Sequence, residues 1–158
     1  MENYNFKFEE QVLPASKDIE RRIVFSDGND IRLAQALKTF LKLNNSKCIL
    51  LGNEKEVIEK LKEAGVDKSQ NIKVIDPMQY SSKKDYPDIL LKCFKDRNKT
   101  IEKDEIGSLI SNNSFYAALM LKNNDADCGV AGSISSTESQ MRAIVNVLGG
   151  GKMRHSDS

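Results

Sequence analysis

The amino-acid sequence predicts an α/β protein, a mostly parallel sheet between two helical layers. Three observations predict it. Short apolar runs alternate with longer segments whose apolar residues recur at helical spacing. The clearest run, Lys47 to Leu51 (KCILL), is apolar almost throughout and does not alternate, as expected of a strand covered on both faces. The stretch Asp125 to Leu148 passes from a strand pattern through a small, hydroxyl-rich loop into a helical pattern, the unit from which parallel sheets are built. Open sheets of this kind bind ligands at the carboxyl ends of their strands. The loops after Phe25, Leu51, Ile75 and Ala131 are therefore expected to share one crevice.

Taken in order, Glu9 to Asp18 reads as a short helix ended near Pro14. Arg22 to Phe25 reads as the first strand, followed by a turn at Ser26 to Asp30 in which Asp27 and Gly28 are favoured for local backbone reasons. Asp30 can cap a helix over Ile31 to Leu43, whose Leu33, Ala34, Leu37, Phe40 and Leu41 share a face and whose Arg32 is expected on the surface. After the second strand, Gly52-Asn53 turns into a charged helix, Glu54 to Ala64, with Val57, Ile58 and Leu61 inward and Gly65 just past its end. Asn71 to Ile75 is the third strand, stopped by Asp76-Pro77.

A polar segment, Gln79 to Tyr86, leads to helices expected near Asp88 to Lys95, Glu102 to Ile110 and Ser114 to Lys122. The last of these, SFYAALMLK, is apolar nearly all round and is expected to be buried. The fourth strand is expected over Asp127 to Ala131, with Cys128 as a small core residue. In the final helix Met141, Ile144, Val145 and Leu148 have the spacing of one buried face, and Ser135 with Glu138 has the S-x-x-E pattern of a capping box. The expected organisation is a lead-in over 1–21, one α/β domain over 22–148 and a polar tail over 149–158.

Composition limits the function classes. With 24 basic and 23 acidic residues in 158, the net charge of +1 gives no global field to draw nucleic acid or an anionic membrane. No run approaches the ~18 apolar residues of a membrane span, and the N-terminus lacks the layout of a secretory signal. Cys48, Cys93 and Cys128 form no C-x-x-C pair, which suggests free thiols in a reducing cytoplasm. The single histidine, His155, lies in the polar tail, so neither a metal site nor a Ser-His-Asp triad is expected.

The candidate chemistry lies between Gly132 and Arg142. A strand that runs through a Gly/Ser loop into a helix start offers unpaired N–H groups, hydroxyls and the positive end of a helix dipole to an anion. Ser133, Ser135, Ser136 and Thr137 supply the hydroxyls, and Arg142 follows on the helix. Each has a plainer reading. The loop hydroxyls can simply cap the helix, and Arg142 can be an exposed partner of Glu138 worth only ~0.3–0.5 kcal/mol. Asp125 and Asp127 read equally as a carboxylate pair or as a helix end and strand start.

These residues, laid out in order, resemble the phosphate acetyl/butyryl transferase family, most of all the first half of its phosphate acetyltransferases. The resemblance rests on Arg22 to Arg32 (RIVFSDGNDIR), Ile49 to Asn53 (ILLGN), Val74 to Pro77 (VIDP), Ser114 to Lys122 and Asp125 to Arg142. It covers Arg22 to Leu148 and implies a three-layer αβα fold similar to the first subdomain of isocitrate/isopropylmalate dehydrogenase-like proteins. The activity it implies is acyl transfer between acetyl-CoA and phosphate, giving acetyl phosphate and coenzyme A. Coenzyme A would then be a substrate, with no tightly bound cofactor. Composition already points to a cytoplasmic protein without nucleic-acid or membrane partners, and a matched half that exposes one side of a two-subdomain interface would encourage self-association.

By the resemblance Arg142 is an anion-binding catalytic arginine, and Ser133, Ser135, Ser136 and Thr137 belong to the phosphate/coenzyme A loop. Ser135 stands where many members have histidine. Asp96 stands where the family often has an arginine, leaving Arg97 as the counterpart. The Ser-Arg…Asp group that the family uses for much of its chemistry falls beyond the matched half. Two other functions stay open: a non-catalytic unit that keeps phosphate or coenzyme A binding, and a nucleotide-binding protein. The latter lacks the G-x-G-x-x-G expected after the first strand.

Overall fold

The computed structural model describes residues 19–43, 45–67, 71–79, 85–132 and 134–149. Four strands, β1 (Arg22–Phe25), β2 (Lys47–Leu51), β3 (Ile72–Ile75) and β4 (Cys128–Val130), form one parallel sheet in the order β3-β2-β1-β4. The expected lead-in helix at Glu9 to Asp18 and residues 150–158 of the polar tail lie outside the described residues.

The apolar run of β2 serves both faces of the sheet. Cys48 and Leu50 join a cluster with Phe25, Ala34, Leu37, Val57 and Leu61, under helices α1 (Ile31–Leu43) and α2 (Glu54–Glu63). Ile49 and Leu51 point the other way, into a larger cluster with Val24, Ile75, Tyr86, Leu90 and Leu119. That second layer comprises α3 (Tyr86–Lys95), α4 (Lys103–Ile110), α5 (Asn113–Lys122) and α6 (Thr137–Ala143). The three layers follow from this two-sided burial.

Local signals set the ends of the helices. The Asp30 carboxylate accepts the Arg32 N–H at 2.8 Å and caps α1. Asn53 caps α2 by accepting from Lys55 and Glu56, and Asn112 caps α5 by accepting from Ser114 and Phe115. Past α2, Gly65 adopts φ +67 and the Val66 N–H returns to Leu61 O at 2.8 Å, the closure expected from a C-terminal glycine. Helix α5, buried from Ser114 to Met120, fills the space between the sheet and the outer helices.

Three expectations are corrected. Strand β4 is an exposed edge and not a buried strand, so Cys128 is exposed while Cys48 and Cys93 are buried. The final helix shows the opposite face from the one expected. Met141, Ile144, Val145 and Leu148 are 51%, 41%, 41% and 37% exposed, whereas Ala143, Asn146 and Val147 pack inward. Asn146 is buried because its amide donates to Arg142 O at 2.8 Å and its carbonyl accepts from Lys99 at 2.9 Å. Beyond Ala143 the helix widens into a π-turn, Ile144–Leu148, which closes with the Gly149 N–H on Ile144 O at 3.0 Å. Lastly, α3 starts at Tyr86, ahead of the expected Asp88, with Pro87 in its first turn where a missing N–H costs nothing.

The amino ends of β1 and β4 are tied by charge. Arg22 donates to Asp127 from its backbone N–H (2.7 Å), Nε (3.2 Å) and Nη2 (2.8 Å). This hydrogen bonding holds the Asp127 carboxyl down at about 2. Asp125 accepts from Tyr86 Oη at 2.7 Å and from Asn123 at 3.0 Å. Both aspartates therefore brace the end of the sheet opposite the loops. Burial, reinforced by the bond to Asp125, pushes the Tyr86 hydroxyl far above its ordinary value.

Candidate functional site

The sheet changes direction of construction at β1: the chain moves outward through β2 and β3, then returns to place β4 on the other side. This switch point is where open α/β sheets leave a crevice. A cavity of about 460 Å³ opens there, lined by Phe25, Asp27, Arg32, Leu33, Val130 and Gly132. Its lining comes from the ends of β1 and β4, the loops that follow them and the start of α1; among the described residues the loops after β2 and β3 add nothing to it, contrary to the expectation of one shared crevice.

The turn after β1 is built by close approach. The Gly28 N–H donates to Leu51 O at 2.9 Å, and a Cβ on Gly28 would lie 2.6 Å from that oxygen. Asn113 closes the same corner, donating to Ser26 O at 2.9 Å. Asp27 is consequently directed across to the β4 loop and is only 5% exposed. Its Oδ2 accepts the Gly132 N–H at 3.0 Å, and its Oδ1 accepts the Ser135 N–H at 3.1 Å and the Ser135 hydroxyl. Asp27 is thus far more than a turn residue, and sequence reasoning missed its role. Its partners are more than a hundred residues away, beyond any local pattern.

The predicted site residues separate. Ser133 lies outside the described residues. Ser135 is bound to Asp27 and does not cap the helix; Ser136 is the cap and accepts the Ser139 N–H at 3.2 Å. Thr137 is the first residue of α6 and is exposed. Ser136 and Arg142 share a polar cavity of about 310 Å³ with Ser108, Asn112, Glu138 and Ser139. Arg142 does not pair with Glu138. Its Nη2 lies 3.4 Å from Glu105 on α4, a long contact between two exposed groups, and such pairs contribute ~0–1 kcal/mol.

Arg97 is not brought to these residues. It donates to Cys93 O at 2.9 Å and lies against Gly149, at the far end of the final helix and on the order of 15 Å from its start. Arg32, expected simply on the surface, lines the larger cavity. Its guanidinium is held by Asp30 through Nε–H donation to both oxygens at 3.1 Å and Nη2 donation at 2.7 Å.

A third, mostly apolar cavity of about 240 Å³ lies behind β4, between Ala117, Ala118, Leu121, Ile144 and Leu148. Ser26 also lines it, and the Ser26 hydroxyl is buried with no hydrogen-bond partner among the described residues. Cys128 on the edge strand is not poised as a nucleophile, since burial and then the neighbouring Asp127 charge raise its thiol pKa. Among the described residues no group of three or more His, Cys, Asp or Glu is placed to hold a metal ion. None of the described helices is long and apolar enough to cross a membrane.

A sequence model of the phosphate acetyl/butaryl transferase family matches residues 7–155. The chain belongs to this family. Among curated members, the phosphate acetyltransferase of Acetivibrio thermocellus is 30% identical over 141 residues, covering 89% of this chain and 41% of the relative. That of Bacillus subtilis is 29% identical over 136 residues, covering 85% and 40%. Among solved structures, a phosphotransacetylase from Streptococcus pyogenes superposes with a TM-score of 0.75 at 22% identity, over 89% of this chain and 42% of that one. The EutD phosphotransacetylase from Staphylococcus aureus gives 0.71 at 20% identity, over 90% and 42%. At these identities the superpositions show the fold. This family member spans about two fifths of the length of the relatives named here.

Proposed function

We propose that the chain takes part in phosphate acetyltransferase chemistry: acyl transfer between acetyl-CoA and inorganic phosphate, yielding acetyl phosphate and coenzyme A. The family match over residues 7–155 carries this reading. In the reaction a phosphate oxygen adds to the thioester carbonyl. A C–O bond forms as the C–S bond breaks, and the departing thiolate takes up a proton. Substrates with this much negative charge require local cationic and hydroxyl groups, since the chain carries no net field.

Arg142, Ser136 and Thr137 are the groups that fit this role. Arg142 is exposed and weakly paired, so an anion can displace Glu105 at small cost. Ser136 lines the same cavity. Asp27 is not the base for the coenzyme A thiol, because its oxygens already accept from Gly132 and Ser135. Arg97 is assigned no part, given its place at the far end of the helix.

A second reading, a unit that binds phosphate or coenzyme A without turnover, is supported by Asp27, whose carboxylate is already engaged by Gly132 and Ser135 and is not available as a base beside the loop. Butyryl transfer is the variant of the first reading that the family description also allows. Three free thiols support a reducing, cytoplasmic setting. The exposed row Met141, Ile144, Val145 and Leu148 beside the open edge of β4 supports association with a second copy.

Thiol release from acetyl-CoA by the purified chain, with and without phosphate, tests the proposal. Phosphate-dependent release that Arg142→Ala abolishes is the expected result. Coenzyme A binding without release moves the chain to the second reading, and absence of both refutes the two together.

A further inference from the structure

We infer that Asp27 is the resident anion of the loop joining β4 to α6: its carboxylate fills the Gly132 and Ser135 N–H groups that this Gly/Ser loop otherwise offers to phosphate. The inference does not rest on the acyl-transfer reading, because it concerns what occupies the loop and not what the chain turns over.

The geometry is that of an anion held by backbone N–H groups. Gly132 donates to one carboxylate oxygen at 3.0 Å, and Ser135 donates to the other from both its N–H, at 3.1 Å, and its hydroxyl. Charged acceptors of backbone N–H groups make bonds roughly twice as strong as neutral ones. A carboxylate only 5% exposed needs them, since burying an unpaired charge is costly. The Gly132 and Ser135 donors and the Asp27 carboxylate are therefore complementary in charge and position. Asp27 is also tethered through Gly28 to the end of β2, where no side chain fits at the glycine. A tethered anion competes at an effective concentration of about millimolar or above. A free phosphate entering beside it would meet like charge.

Ser135 is gripped from both sides, for its carbonyl accepts from Gln140 Nε2 at 3.1 Å. Its placement sets Ser136 as the helix cap and so fixes where Arg142 emerges on α6. Asp27 is thus a positioning residue, acting through Ser135, and an incoming phosphate is left with the Ser136 and Arg142 side of the loop.

Amide-resolved hydrogen exchange on the full chain, with inorganic phosphate as the probe, tests this. In the wild type the Gly132 and Ser135 amides should be protected, and millimolar phosphate should leave their exchange and chemical shifts unchanged. In Asp27→Asn both amides should exchange about tenfold faster while Ala34 and Leu50 keep their protection, and phosphate should restore protection at Gly132 and Ser135. A purely structural aspartate would not produce that rescue. The inference is overturned if phosphate perturbs these two amides in the wild type, if Asp27→Asn leaves their exchange unchanged, or if phosphate fails to protect them in the variant. Should Asp27→Asn not fold, Asp27→Ser carries the same two arms, and a phosphate effect on the wild-type amides still overturns the inference.

Discussion

Alanine at two glycines should move stability in opposite directions, for reasons visible in the packing. A Cβ at Gly28 would lie 2.6 Å from Leu51 O, 3.1 Å from Leu51 N and 3.1 Å from Leu50 Cβ. Two of these atoms are backbone, in a strand whose Cys48, Ile49 and Leu50 are paired on both sides, so relief requires the turn to lift off β2. Lifting it lengthens the Gly28–Leu51 hydrogen bond, worth ~1 kcal/mol, and adds ~1–3 kcal/mol of overpacking. Gly28→Ala should therefore cost about 3 kcal/mol, which for a domain of this size lowers Tm by roughly 6–12 °C. Gly107 is the counterpart. It lies inside α4 with nothing within 4 Å of its Cβ position, so alanine there should stabilise by about 0.5–1 kcal/mol through helix propensity. Urea titrations of both variants beside the wild type measure the two values. A Gly28→Ala chain within about 0.5 kcal/mol of wild type, or a Gly107→Ala chain that is less stable, would refute the reasoning.

Other outcomes follow from single contacts. Asp127 titrates at about 2 in the folded chain against an ordinary 3.8, so its pairing with Arg22 stabilises the fold above pH 3.8. That contribution is lost as pH falls from 3.8 towards 2; the pH dependence of Tm should flatten in that window in Arg22→Gln, and an unchanged profile would count against the pair. Ser26→Ala removes a buried hydroxyl that has no partner among the described residues and should raise stability by about 1 kcal/mol in denaturant titration; a loss of that size would contradict its unpaired state. Under native conditions a thiol reagent should modify Cys128 first, slowly at neutral pH because its thiol pKa is raised. Cys48, buried and pushed up to about 11, should react only on unfolding, and mass mapping of the labelled cysteines decides.

Much of the fold could be read from the sequence, because the signals that set it are local. The helix over Ile31 to Leu43, capped by Asp30, needs only its own residues. So does the run of β2, and so does α5, whose apolar composition on every side announces burial. Where the reading fails, a distant partner intervenes. Ser135 and Ser136 are equivalent as caps by composition; Asp27, brought across by the β1–β4 pairing, takes the first and leaves the second. The amphipathic row Met141, Ile144, Val145 and Leu148 has the helical period but faces outward. Helical spacing identifies a face but not what lies opposite it. Here the inward side against α5 is filled by Ala143 and Val147, with Asn146 satisfied by Arg142 O and Lys99. The candidate site was legible only as a neighbourhood, since Arg32, Asp27 and Glu105 reach it from separate parts of the chain.

The placement of β1 also dictates an order of events as the chain leaves the ribosome. Val24 pairs with Ile49 on one side and with Gly129 on the other, so its second neighbour is synthesised roughly eighty residues after its first. At ~5–20 residues per second, the nascent β2-β1 pair, later extended by β3, spends roughly 4–16 s with the outer edge of β1 unpaired. Its N–H and C=O groups are a template for any extended chain during that interval. Arg22, at the mouth of the strand, places a charge on that edge until Asp127 arrives to accept it. The same arginine that braces the finished sheet thus guards the unfinished one.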